Sequence, residues 1–273
     1  MDTAYWDDAY TNSAYIPGGD GYAAKWASDA ALFRETMTKR NRAQLDQHYG
    51  SGPRERFDLF LPEAQPRGLF VFVHGGYWML FDKSSWSHLA AGALERGWAV
   101  ALPSYTLCPE ARISEITRQI ARAIATISEH VSGPIVLAGH SAGGHLVSRM
   151  VCAESSLLDA VRSRIRHVVS ISGLHDLRPL MSTSMNKTLR LDEAEAMRES
   201  PALLRPMARA RVTCWVGSNE RPEFLRQAAL LANIWTGLGA RMAEHQAKGR
   251  HHFDVIEEFT DSGSPLIDTL LDV

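Results

Sequence analysis

The stretch Pro134-Ile135-Val136-Leu137-Ala138-Gly139-His140-Ser141-Ala142-Gly143-Gly144-His145 constrains this chain more than any other. A short apolar run ends in Gly-x-Ser-x-Gly, and the following residues, Ala142 to Val151, suit a helix. A serine held in a tight strand–turn–helix connection has its hydroxyl exposed and its backbone strained, the context of a nucleophile elbow. Gly139 and Gly143 would let strand and helix approach where a β-carbon would collide. Taken alone the motif is equally well an ordinary turn with a buried serine, so the rest of the chain must decide.

The alternation of elements comes next. Gly68-Leu69-Phe70-Val71-Phe72-Val73 is a continuous apolar run, as expected of a strand buried on both faces. Further strands are predicted over Trp98–Leu102, Ile135–Ala138, Ile165–Ser172, Val212–Val216 and Arg241–Gln246. Between them Ile113, Ile116, Ile120, Ile124 and Ile127 recur at helical steps, with Arg112, Glu115, Arg118 and Arg122 on the opposite face. Pro222 opens a helix whose apolar face is Phe224, Ala228, Leu231, Trp235 and Leu238. A helix over roughly Asp254–Phe259 and another after Pro265 close the chain. Ala43–Tyr49 and Phe57–Leu61 alternate in a mixed way, which predicts antiparallel edge strands. The fold class is therefore α/β, a mostly parallel sheet with helices on both faces.

The 273 residues suit one domain. Residues 1–40 form an aromatic-rich arm with a helix over Tyr22–Lys39, either packing on the domain or roofing a pocket. Residues 177–207 read as a small cap-like insertion over the carboxyl edge of the sheet. The net charge of −2 and scattered basic residues exclude a nucleic-acid surface. No apolar run approaches the ~18 residues of a membrane span. Three widely spaced cysteines and an acidic start, Met1-Asp2-Thr3-Ala4-Tyr5-Trp6-Asp7-Asp8, lead us to expect a cytoplasmic protein with free thiols. The expected partner is a small-molecule substrate, with neither nucleic acid nor membrane; a homodimer is compatible with the sequence.

In parallel sheets reactive groups gather at the carboxyl ends of strands, and the notable loops here all follow strands. A serine needs a base, the base needs a group that fixes its tautomer, and the oxyanion needs donors. Ser141 is the nucleophile, Glu220 the acid and His252 the base, in the chain order Ser, acid, His. His74-Gly75-Gly76 follows a central strand, so Gly75, Gly76 and the N–H of Ala142 are the expected oxyanion donors. His251 adjoins His252, and Asp176 is another carboxylate after a strand; both pairs stay open on spacing alone. Tyr77, Trp78 and Tyr105 lie beside the site, as pocket walls or as core. The paired histidines lack H-E-x-x-H or ligand spacing, so neither metal nor cofactor is expected.

These segments resemble one family. His74-Gly75-Gly76-Tyr77-Trp78, Gly139-His140-Ser141-Ala142-Gly143-Gly144-His145-Leu146, Ser172 to Leu180 and His252-Phe253-Asp254-Val255-Ile256 are similar to the kynurenine formamidase (arylformamidase)-like branch of the α/β-hydrolases. That branch neighbours the hormone-sensitive-lipase-like esterases, and the likeness covers roughly residues 50–260. It implies the α/β-hydrolase fold and hydrolysis of an N-formyl amide or small ester through an acyl-enzyme. It also implies that the histidine directly before Phe is catalytic, which favours His252. Tyr77 stands where the esterases commonly have a third glycine, and Glu220 where an aspartate is common. The alternatives are a general short-chain carboxylesterase and, in a different class, a non-catalytic binding protein of the same fold.

Overall fold

The computed structural model describes residues 2–273. Eight strands form one sheet in the order β1-β2-β4-β3-β5-β6-β7-β8. They are β1 (Ala43–His48), β2 (Arg56–Phe60), β3 (Leu69–Val73), β4 (Ala99–Pro103), β5 (Ile135–His140), β6 (Ile165–Ile171), β7 (Arg211–Gly217) and β8 (Arg241–Ala247). β1 and β2 run antiparallel, as expected, and β4 to β8 with β3 are parallel. Of these two only β1 is an edge: β2 pairs with both β1 and β4.

Among the described residues there are ten α-helices: α1 (Thr3–Tyr10), α2 (Tyr22–Lys39), α3 (Ala91–Glu95), α4 (Ile113–His130), α5 (Ala142–Met150), α6 (Asp159–Arg162), α7 (Asn186–Leu189), α8 (Glu193–Glu199), α9 (Pro222–Gly237) and α10 (Pro265–Leu271). Alternate side chains of each strand feed two separate cores. Leu69, Val71 and Val73 of β3 join Ile135 and Leu137 of β5 under α4, α5 and α9. Phe70 and Phe72 turn the other way, with Val136 and Ala138, to meet Trp26, Trp86, Phe259 and the apolar side of α10. That double burial explains the unbroken apolar runs. All five isoleucines of α4 are fully buried against the first core.

Two elements differ from expectation. No helix forms over residues 254–259. Asp254 Oδ1 accepts the His251 N–H at 2.7 Å, while His251 Nδ1 takes the N–H groups of Phe253 and Asp254 at 3.2 Å. These local bonds satisfy the backbone in a turn and compete with helix formation; only a 3₁₀ turn, Glu257–Thr260, follows. At the other end α1 is a helix that composition did not announce, capped by Asp2 accepting from Tyr5 N.

Residues 177–207 contain α7, α8 and two 3₁₀ turns. Their anchor is charged. Fully buried Glu195 takes the Ser114 N–H and Arg112 Nε, and Glu199 pairs with Arg149 Nε at 3.1 Å and the Thr117 hydroxyl at 2.9 Å. The Ser184 N–H donates to Asp7 of α1, joining this segment to the N-terminal arm. Among the described residues no helix is long and apolar enough to cross a membrane.

Candidate active site

Ser141 links β5 to α5 with φ 55° and ψ −117°, a region that side chains other than glycine adopt only when their surroundings enforce it. The enforcement is visible. A β-carbon on Gly143 would lie 1.9 Å from the Val73 carbonyl oxygen, and one on Gly139 would lie 2.1 Å from the Gly143 oxygen. Bare glycines let α5 start directly over β3, and the Ser141 N–H donates to Ile171 O of the neighbouring strand at 2.8 Å.

Glu220 follows β7 and His252 follows β8. His252 Nδ1 and Glu220 Oε2 are 2.6 Å apart, both side chains almost wholly shielded from solvent. The other carboxylate oxygen, Oε1, accepts from the Gly217 N–H at 2.8 Å and the Ser172 hydroxyl at 2.5 Å. A carboxylate only accepts, so Nδ1 carries the proton and Nε2 is left as the basic nitrogen. The ring packs on Phe224, with centroids 4.3 Å apart. Its backbone oxygen accepts from His140 Nε2 at 2.8 Å.

The open pairs separate cleanly in space. His251 is turned toward Tyr22 and the 254 turn, its Nε2 3.2 Å from the Tyr22 hydroxyl. Asp176 is clamped by Arg178, with Nε and NH2 at 2.9 and 2.8 Å, and meets no histidine. Among the described residues no group of three or more His, Cys, Asp or Glu is arranged to hold a metal.

The glycine loop after β3 reaches the serine. A β-carbon on Gly75 would lie 3.0 Å from Ser141 Cβ and 2.7 Å from the His140 oxygen, so only glycine permits this approach. Gly76 has φ +103°, and its oxygen closes a turn by accepting from the N–H groups of Met79 and Leu80. His74 braces the loop: Nδ1 lies 2.8 Å from Gly75 O, and the ring stacks on Tyr105. Burial pushes His74 down to about 4, so it is neutral at physiological pH.

Ser141, His140 and His252 line a cavity of about 540 Å³. Its aromatic walls come from three places: Tyr77, Phe81 and Trp86 of the glycine-loop region, Trp26 and Tyr10 of the arm, and Phe253 beside His252; Asp7, Asn12 and Asp20 of the arm add polar groups. The arm thus roofs a pocket, and Ser184 and Met185 of the 177–207 segment reach its edge. Tyr77 is held by its hydroxyl on the Tyr10 oxygen. Trp78 and Tyr105, left open between pocket wall and core by the sequence, are fully buried and do not line the cavity. Left-handed φ angles at Tyr77 (51°) and Trp78 (57°) turn consecutive rings to different sides, and Trp78 packs edge-on to His145.

Ser172 is a residue that sequence patterns did not single out for the site. It is fully buried, has φ 51°, and its bond to Glu220 arises because β6 and β7 are neighbours in the sheet. A hydroxyl one residue past a strand adjacent to the acid's strand is the signal that could have found it.

Comparison with known proteins agrees with this fold. Residues 70–229 match the family described as the alpha/beta hydrolase fold. Kynurenine formamidase of Danio rerio is 29% identical over 274 aligned positions, covering 96% of this chain and 93% of that protein. A crystal structure from Silicibacter sp. TM1040, provisionally assigned as a thioesterase, is 55% identical with a TM-score of 0.92, covering 97% of this chain and 98% of that one. Esterase B from Lactobacillus rhamnosis, at 16% identity, TM-score 0.66 and 92% coverage of each chain, shares the fold.

Proposed function

The chain belongs to the α/β-hydrolase family and is a hydrolase; we propose that it cleaves a small N-formyl amide or ester by serine nucleophilic catalysis through a Ser141–His252–Glu220 triad. The observation that carries this reading is the buried 2.6 Å His252–Glu220 pair whose histidine lines one cavity with the strained Ser141. Ser141 Oγ attacks the substrate carbonyl as His252 Nε2 takes its proton. The oxyanion is met by the N–H groups of Gly75, Gly76 and Ala142, donors of the kind worth ~3 kcal/mol each in the transition state. Collapse breaks the bond to the leaving group, which departs with the proton from His252. Water then attacks the acyl-enzyme with His252 again as base, and the acid is released.

Glu220 fixes the tautomer and balances the imidazolium charge formed in each half-reaction. The kynurenine formamidase relative favours an N-formyl aromatic amine as substrate, and the aromatic walls of the cavity suit such a group. A short acyl thioester is a second reading, favoured by the 55% identical relative, and the same attack serves it. The deciding experiment compares kcat/KM for N-formylkynurenine, p-nitrophenyl acetate and a short acyl thioester. A preference of at least ~100-fold for the formamide, about 2.7 kcal/mol of transition-state discrimination, supports the narrower activity. Equal or greater turnover of the acetate assigns a general carboxylesterase instead.

A further inference from the structure

Beside Ser141 stands a hydrogen-bond acceptor with nothing to accept from. His140 ends β5 and is buried, with Nε2 2.8 Å from the His252 carbonyl oxygen. A carbonyl oxygen can only accept, so Nε2 bears the proton and Nδ1 presents a bare lone pair. Burial, reinforced by the neighbouring His252, holds His140 well below the usual histidine range, so the ring is neutral. Among the described residues no donor reaches Nδ1. A β-carbon at position 75 would lie 3.3 Å from Nδ1 and 3.0 Å from Ser141 Cβ. Gly75 thus lies close against both His140 Nδ1 and Ser141, and His140 and Ser141 line the same cavity. The His140 and His252 ring centroids are 4.6 Å apart.

We propose that His140 Nδ1 accepts the N–H of a secondary formamide as Ser141 attacks it, so that His140 selects N-formyl amides over the corresponding esters. The inference rests on the serine-hydrolase reading and deepens it. When the tetrahedral intermediate collapses, the leaving nitrogen must aim its lone pair at His252 to receive the proton. Its own N–H then points away from His252 and needs an acceptor. An ester offers an oxygen lone pair at that place, which meets the Nδ1 lone pair without attraction. His140 exchanges no proton: the Oγ–carbon bond forms, the carbon–nitrogen bond breaks, and the serine proton travels through His252 to the amine.

The test is kcat/KM of the full chain for formanilide and phenyl formate in the wild type, His140→Gln and His140→Phe. Glutamine keeps an N–H donor toward the His252 carbonyl but places no acceptor at Nδ1; phenylalanine removes both. Damage transmitted through His252 lowers both substrates alike, so the ratio isolates the acceptor. In each variant the formanilide-to-phenyl formate ratio is expected to fall about tenfold, the effect of one hydrogen bond lost in the transition state. A ratio within about twofold of wild type in either folded variant overturns the assignment. Ser141-dependent turnover of phenyl formate with none of formanilide also overturns it, while leaving the serine-hydrolase reading intact. Turnover of neither substrate overturns both.

Discussion

Glu220 gathers three hydrogen bonds on one carboxylate, and the two from side chains have separate consequences. The bond to His252 decides the tautomer. Glu220→Gln would offer an N–H₂ or a weaker acceptor to Nδ1, and kcat should fall by roughly 10⁴-fold, the loss typical of a wrongly oriented imidazole, with the fold retained by circular dichroism. The bond from Ser172 fixes where the carboxylate stands. Ser172→Ala and Ser172→Gly should lower kcat about tenfold with KM nearly unchanged, because the hydroxyl acts through Glu220 on the transition state alone. The two variants should differ in stability, since glycine relaxes the φ of 51° and alanine does not. A rise in KM with kcat intact would instead make Ser172 part of the cavity wall.

The crossing of β3, β5 and α5 is where backbone geometry and chemistry coincide. Gly143→Ala would drive a β-carbon into the Val73 carbonyl, so α5 must lift from β3. A loss of ~3 kcal/mol in chemical denaturation is expected, together with loss of activity; a variant as stable and active as wild type would contradict the elbow as described. The arm makes a different prediction. Tyr10 joins α1 to the domain through its hydroxyl on Glu223 and its oxygen under Tyr77, but touches no reacting atom. Tyr10→Ala should raise KM several-fold and leave kcat within about threefold, the signature of lost ground-state binding. Legibility at this scale follows locality. The α4 isoleucines and the apolar strands are periodic within a few residues, so they were readable. α1 and the 254–260 turn were not, because single side-chain caps and the His251–Asp254 bonds set their geometry. The placing of Ser141, Glu220 and His252 beyond strand ends was readable because each follows its own apolar or alternating strand. Trp78, Tyr105 and Ser172 were not, since which way a ring faces, or which strand ends are neighbours, is decided by backbone handedness and sheet order.

At the scale of the whole molecule, folding buries histidines that must stay neutral. Burial pushes His74, His88, His167 and His175 down to about 4 and His145 to about 3, against an unfolded value near 6.5. Between those values the unfolded chain binds more protons than the folded one. Their stabilisation is therefore complete above about pH 6.5 and is lost as pH falls toward 4. Urea unfolding should show stability nearly flat from pH 7 to 8 and lower by at least ~3 kcal/mol at pH 5; a flat profile down to pH 5 would show that these histidines protonate in place. The sheet brings Ser141 and His252 from two strand ends to one cavity, with Glu220 bonded behind His252, and the most direct test of the proposed triad is covalent. Intact-mass spectrometry after exposure to an alkyl fluorophosphonate should find one adduct on the wild type, mapped to Ser141, and none on Ser141→Ala. A wild type that stays unmodified, or an adduct that persists in the alanine variant, would contradict Ser141 as the nucleophile.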